Sequence, residues 1–254
     1  MVKKHENNMF KLGLIGKNIS YSFSRNYFEN KFKEEVINDI SYENFDIENI
    51  DLFPSLIKEN KNIKGFNVTI PYKEAIIPFL DELDDTAKII GAVNTIKITD
   101  QKKLIGYNTD FFGFIESLKP LLKPHHKKAL ILGTGGASKA IAFSLKTLNI
   151  EYVYVSRKTK PNVDFLYDNL TASIVKECQL IINCTPVGTF PSVEDSPNIP
   201  YTAITKNHIL YDLIYNPDET TFLKQGRLRH ATTINGIKML ELQAEKAWSI
   251  WNLK

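Results

Sequence analysis

Ala129-Leu-Ile-Leu132 runs straight into Gly133-Thr-Gly-Gly-Ala-Ser138, and a helical pattern opens at the end of that turn. A short apolar run followed by clustered glycines predicts a buried strand that bends sharply into a helix. Amide groups at the start of such a helix face any negative charge placed there, so the turn suits a pyrophosphate. Gly133, Gly135 and Gly136 give a permissive backbone, with Thr134 and Ala137 between and after them. Ser138 stands where a third glycine is usual, a position that needs a small residue for helix-to-strand packing. The alternative is an ordinary strand-to-helix turn. What sets this turn apart is its place in mid-chain, because a first half of domain length precedes it. A cleft between two units is therefore the expected place for chemistry.

The next strand points to the ligand. Glu151-Tyr-Val-Tyr-Val155 ends in Ser156-Arg157-Lys158. A site for NAD places an acid about 20 residues beyond the glycine turn, whereas a site for NADP puts a cation there for the 2′-phosphate. No acid occupies the place. The chain uses lysine heavily and arginine sparingly, so an arginine whose planar fork can meet phosphate favours NADP over a merely solvated basic loop.

Bulk composition bounds the rest. A chain of 254 residues can bury a sizeable core as one or two domains. Its 43% hydrophobic and 24% charged content is that of an ordinary globular protein, and a net charge of +3 spread along the chain offers no nucleic-acid face. Met1 to Asn8 lacks the apolar core of a secretory signal, and no apolar run is long enough to span a bilayer. Cys178 and Cys184 fit neither a zinc site nor a redox pair, and read as buried free thiols in a reducing cytoplasm. No metal is expected.

Strands and helices alternate in both halves. In the first, Lys11 to Ile15, Ile63 to Ile70 and Ala92 to Thr99 read as strands and Asn26 to Glu35 as an amphipathic helix. Lys119 to Lys128 is polar and reads as an exposed junction, with His125 and His126 solvated rather than metal-bound. Strands at Glu151 to Val155, Leu180 to Asn183 and His208 to Leu213 continue a doubly wound pattern. Gly236 to Asn252 is a helix with Met239, Leu240, Ala244, Ala247 and Trp248 on its apolar side.

Short polar motifs at the ends of these elements form a set. They are Ser22-Phe-Ser24, Asn67-Val-Thr-Ile-Pro-Tyr-Lys73, Gly91-Ala-Val-Asn-Thr95, Gly106-Tyr-Asn-Thr-Asp110, Asn183-Cys-Thr-Pro-Val-Gly188, Asp212-Leu-Ile-Tyr-Asn-Pro217 and Gly236-Ile-Lys-Met-Leu-Glu-Leu-Gln243. With the glycine turn, in this order and at these spacings, the whole chain resembles the shikimate dehydrogenase family. The resemblance implies NADPH-dependent reduction of 3-dehydroshikimate to shikimate, a step of chorismate and aromatic amino-acid biosynthesis, by a monomer or homodimer.

The resemblance also implies roles. Lys73 and Asp110 match the catalytic pair, and a lysine suits the task because it supplies both positive charge and a proton to the forming alkoxide. Ser22 and Ser24 match the hydroxyls that bind the substrate carboxylate. Thr69, Asn94, Asp110 and Gln243 match residues on the ring hydroxyls, and Tyr215 a tyrosine beside the ring. Gly133 to Ser138 match the pyrophosphate turn, and Ser156, Arg157 and Lys158 the 2′-phosphate clamp. Thr185, Pro186 and Val187 match a loop beside the cofactor, and Leu213 and Gly236 positions near the nicotinamide. The chain departs from the family pattern at Asn18, Tyr21 and Arg25 around the serines, and at Ser156, where asparagine is common.

The expected architecture is α/β in two domains. An N-terminal α/β substrate domain, 1–107 with 237–254, is joined to a Rossmann-type NADP-binding domain, 108–236, with a cleft between. Two alternatives are a quinate/shikimate dehydrogenase using NAD and a non-catalytic ligand-binding relative. Intact Lys73 and Asp110 argue against the second.

Overall fold

A computed structural model describes residues 9–20 and 22–252. The segment read above for a secretory signal, and Tyr21, lie outside the described residues. The chain divides into two compact units, one ending at Thr109 and resuming at Gln243, the other running from Asp110 to Leu242.

The first unit is built on β1 (Phe10–Gly16), α1 (Phe23–Glu34), β2 (Ile40–Asp46), α2 (Phe53–Glu59), β3 (Ile63–Val68), β4 (Glu82–Leu83), α3 (Asp85–Ile90), β5 (Thr95–Ile98) and β6 (Leu104–Tyr107). Its six strands lie in the order β2-β1-β3-β5-β6-β4. The pairs β1–β2 and β1–β3 are parallel, while β3–β5 and β5–β6 are antiparallel. Alternation along β1 sends Leu12 and Leu14 to one face with Phe28, Phe32 and Tyr42, and Ile15 to the other with Phe53, Phe66 and Ile96. Helix α1 starts three residues earlier than its apolar spacing predicts. Ser22 caps it, its Oγ accepting from the Arg25 N–H at 3.2 Å.

The second unit comprises α4 (Asp110–Leu118), β7 (Lys128–Leu132), α5 (Gly136–Thr147), β8 (Glu151–Ser156), β9 (Phe165–Leu166), α6 (Ala172–Glu177), β10 (Leu180–Asn183), β11 (Ile209–Asp212), α7 (Thr221–Arg227), β12 (Thr232–Ile234) and the first residues of α8 (Ile237–Asn252). Its sheet runs β12-β11-β10-β7-β8-β9, and its strand pairs are all parallel. Counted from β7, this is the 3-2-1-4-5-6 order of a Rossmann sheet, with the switch of direction between β7 and β10. The run Ala129 to Leu132 is continuously apolar because both faces are covered. Ala129 and Ile131 pack with Phe114, Ile141 and Leu145, whereas Leu130 and Leu132 pack with Val175, Ile181 and Phe222.

The polar stretch Lys119 to Lys128 lies wholly inside this unit. His125 is exposed, but His126 is buried, correcting its reading as a solvated linker residue. Its Nδ1 accepts the Lys123 N–H at 2.9 Å and its Nε2 faces the Asn207 carbonyl at 3.1 Å. A carbonyl can only accept, so the ring is neutral with its proton on Nε2. Cys178 is buried and Cys184 half-buried, both as free thiols. Burial pushes the Cys178 thiol up to about 11. Among the described residues no helix is long and apolar enough to cross a membrane.

Candidate active site

Ser22 and Ser24 sit at the N-cap and second position of α1. The cap bond uses a lone pair of Ser22 and leaves its hydroxyl proton to be donated. An anion is favoured at such a helix start by the dipole and the first-turn amides. The loop before it is fixed by Asp46, whose two carboxylate oxygens accept the N–H groups of Asn18 and Ile19 at 2.9 and 3.1 Å. That is the path taken here, where the sequence departs from the family pattern. Arg25 points its Nε at Glu29 at 2.8 Å.

Behind the helix start lies a buried polar network. Tyr42, 3% exposed, donates to Asn67 Oδ1 at 2.7 Å. Asn67 in turn donates through Nδ2 to the Asn94 carbonyl and to Thr95 Oγ1, each at 3.2 Å. The Thr109 N–H donates to Asn94 Oδ1 at 2.7 Å, and Asn94 Nδ2 donates to Thr109 Oγ1 at 3.0 Å and Gln243 Oε1 at 3.4 Å. The first unit thus brings Asn94 and Gln243 together, although 149 residues separate them. Lys73 is half-buried at the turn after β3, where its carbonyl accepts the Val93 N–H at 2.7 Å, one residue before Asn94. Thr69 is tied into the sheet by its N–H to the Ile15 carbonyl at 2.9 Å. Asp110 follows Thr109 directly and is the buried first residue of α4.

In the second unit Gly133 directly follows β7 with φ +101°, a conformation open to glycine and strained for other residues. A Cβ there would come within 2.9 Å of the Thr185 methyl, so the glycine turn and the loop after β10 abut at the switch point of the sheet. Gly135 occupies the N-cap of α5, with no side chain to cap the first turn. Ser138 folds its hydroxyl back onto the Gly135 carbonyl at 2.7 Å. Ser156 is buried and its Oγ accepts the Lys158 N–H at 3.3 Å, turning the end of β8, while Arg157 and Lys158 are exposed. Thr185 Oγ1 donates to Asn183 Oδ1 at 2.6 Å and accepts the Val187 N–H at 3.2 Å, with Pro186 exposed between them. The Gly236 N–H donates to the Ile214 carbonyl at 3.0 Å, setting Gly236 beside the half-buried Leu213. Tyr215 is 37% exposed.

The residues at the start of the first unit, 14–96, match the family model described as the shikimate dehydrogenase substrate binding domain. A shikimate dehydrogenase (NADP(+)) from Methanosphaera stadtmanae is 40% identical over 95% of this chain and 91% of its own length. The chain belongs to the shikimate dehydrogenase family. Solved family members superpose along its length. The structure of shikimate dehydrogenase 1 from Peptoclostridium difficile is 40% identical, with a TM-score of 0.82 over 96% of this chain and 91% of that one. A shikimate dehydrogenase in complex with NADP+ is 35% identical, with a TM-score of 0.84 over 96% and 90%.

Two features of this family member go beyond the reading of its sequence. Lys160 places its Nζ 2.7 Å from Thr134 Oγ1, so a third cation joins Arg157 and Lys158 and lies against the glycine turn. Its signal was the continuing basic run after Ser156. Asn67 and Thr109 stand inside quoted motifs, but only the fold shows that they hold Asn94.

Proposed function

We propose that the protein is a cytoplasmic NADP-dependent shikimate dehydrogenase that reversibly reduces the ketone of 3-dehydroshikimate to the hydroxyl of shikimate, working as a monomer or homodimer. The observation that carries this reading is the 40% identity over 95% of the chain to a relative named for that activity. Ser22 and Ser24 take the substrate carboxylate, favoured by the start of α1. Thr69, Asn94, Asp110 and Gln243 hydrogen-bond the ring hydroxyls, and Tyr215 lies beside the ring. As the carbonyl carbon is reduced, negative charge grows on its oxygen. Lys73 stabilises that charge and gives the oxygen its proton, with Asp110 as the carboxylate partner that orients the amine.

The second unit fits a dinucleotide. Its glycine turn has a positive-φ residue at the switch point of a Rossmann sheet and opens onto an α5 start that no side chain caps. Gly133, Thr134, Gly135, Gly136, Ala137 and Ser138 would hold the pyrophosphate. Ser156, Arg157 and Lys158 would hold the 2′-phosphate, with Lys160 adding charge. Thr185, Pro186, Val187, Leu213 and Gly236 would flank the nicotinamide end. When bound, NADPH supplies the hydride.

An absorbance assay of the purified protein with shikimate and either NADP+ or NAD+ tests the reading. Reduction of NADP+ dependent on shikimate is expected; no turnover with either cofactor rejects it, and equal turnover with NAD+ rejects the cofactor assignment.

A further inference from the structure

The buried network fixes which way round the Gln243 amide is held. A backbone N–H can only donate, so the atom of Asn94 that meets the Thr109 N–H at 2.7 Å is its oxygen. Asn94 Nδ2 then lies at the other end of that amide, facing Thr109 Oγ1 and Gln243. Whatever Gln243 presents to an NH2 must accept, so its Oε1 is turned inward. Thr109 Oγ1 reaches the same Oε1 at 3.3 Å. Both side chains are almost fully buried, Thr109 at 0% and Gln243 at 5% exposed, which makes a reversed amide costly.

We propose that Thr109 is a positioning residue for substrate recognition: through Asn94 and its own hydroxyl it holds the Gln243 oxygen inward, so that Gln243 meets the ligand with its NH2. The site therefore reads a ring-hydroxyl oxygen of the substrate as an acceptor at this position. The inference rests on the assignment of Gln243 to the substrate made under Proposed function.

Steady-state kinetics with shikimate and NADP+ test it, with thermal melts alongside. Gln243→Glu keeps an oxygen for Asn94 and Thr109 but loses both amide donors. It should raise shikimate KM about 10-fold or more while the NADP+ KM stays within about 2-fold. A shikimate KM within about 2-fold of wild type would overturn the proposal. Thr109→Val removes the hydroxyl at nearly constant volume and should raise shikimate KM about 3- to 10-fold, with a smaller change in kcat. Thr109→Ser should restore it. In a Gln243→Ala background, Thr109→Val should move KM by less than about 2-fold, because the amide it positions is gone. The same factor in both backgrounds overturns the positioning role, and so does a failure of Thr109→Ser to restore KM. If Thr109→Val does not fold, Gln243→Glu and Thr109→Ser decide. Wild-type protein that does not oxidise shikimate would instead reject the functional reading, a result distinct from all of these.

Discussion

Trp251 packs directly against Gly65. A Cβ built on Gly65 would overlap the indole Nε1, and that same Nε1 donates to the Ile96 carbonyl at 2.9 Å. The indole therefore crosses from β3 to β5 at a position where only a hydrogen fits beneath it.

Gly65→Ala should displace the ring and lower stability by about 1–3 kcal/mol, the usual cost of overpacking. Chemical denaturation would measure it. In a Trp251→Ala background the same change should cost less, with a remainder from the Ile96 carbonyl, which stands 2.7 Å from the same Cβ; an unchanged cost would mean that the indole contact is not responsible.

Lys73→Ala should lower kcat about 100-fold or more, since positioned acid–base groups contribute about 10² to 10⁴, with a much smaller change in shikimate KM. Ser22→Ala and Ser24→Ala should behave oppositely, raising KM with little loss of kcat. Ser22→Ala should also cost about 0.5–2 kcal/mol of stability, because it removes the cap of α1. Near-normal kcat in Lys73→Ala would remove that residue from the chemistry.

Arg157→Ala should raise the KM for NADP+ by roughly 10- to 100-fold, the worth of a hydrogen bond to a charged group, and leave any turnover with NAD+ unchanged. Lys160→Ala should act in the same direction. Equal losses with both cofactors would place these cations away from the 2′-phosphate.

Stability should fall as pH drops from about 7.5 to about 6. Burial holds the His126 and His208 imidazoles below their ordinary value, 6.5. His208 repeats the His126 arrangement, its Nδ1 accepting the Thr205 N–H and its Nε2 facing the Val175 carbonyl, each at 3.1 Å. The unfolded chain thus binds more protons, and this contribution, complete above pH about 7.5, is lost on acidification through the unfolded value at up to about 1.4 kcal/mol per pH unit for each ring. Asp212, pushed up to about 6 by burial, has the opposite sign: its contribution grows as pH falls below about 6. Melting temperatures across the upper window should flatten in His126→Gln; an unchanged slope would exclude this ring as a source.

Much of the fold was readable because pattern and environment agree. Leu180 to Asn183 is a central strand with both faces covered, and its bounds were read as observed. The last helix was placed within a residue of its start. By contrast β2, with the residues Ile40-Ser-Tyr-Glu-Asn-Phe-Asp46, gave no strand signal. It is an edge strand in which only Tyr42 is buried, so its apolar alternation is diluted. Ala92 to Thr99 was read as one strand, yet Val93 bonds to Lys73 and β5 begins only at Thr95. Site residues carried by motifs were legible as types. The direction of the Asn94 and Gln243 amides was not, since it follows from a backbone N–H that no sequence pattern marks.

The return of the chain to its first unit sets an order of events during synthesis. Leu12, Leu14, Phe28, Phe32 and Tyr42 share their cluster with Ala244, Trp248 and Trp251, which leave the ribosome only after the whole second unit. The second unit is a continuous stretch and has all of its residues available sooner. The half that emerges first is thus the half that finishes last. Until α8 has emerged it carries a bare aromatic face, the kind of surface a chaperone grips.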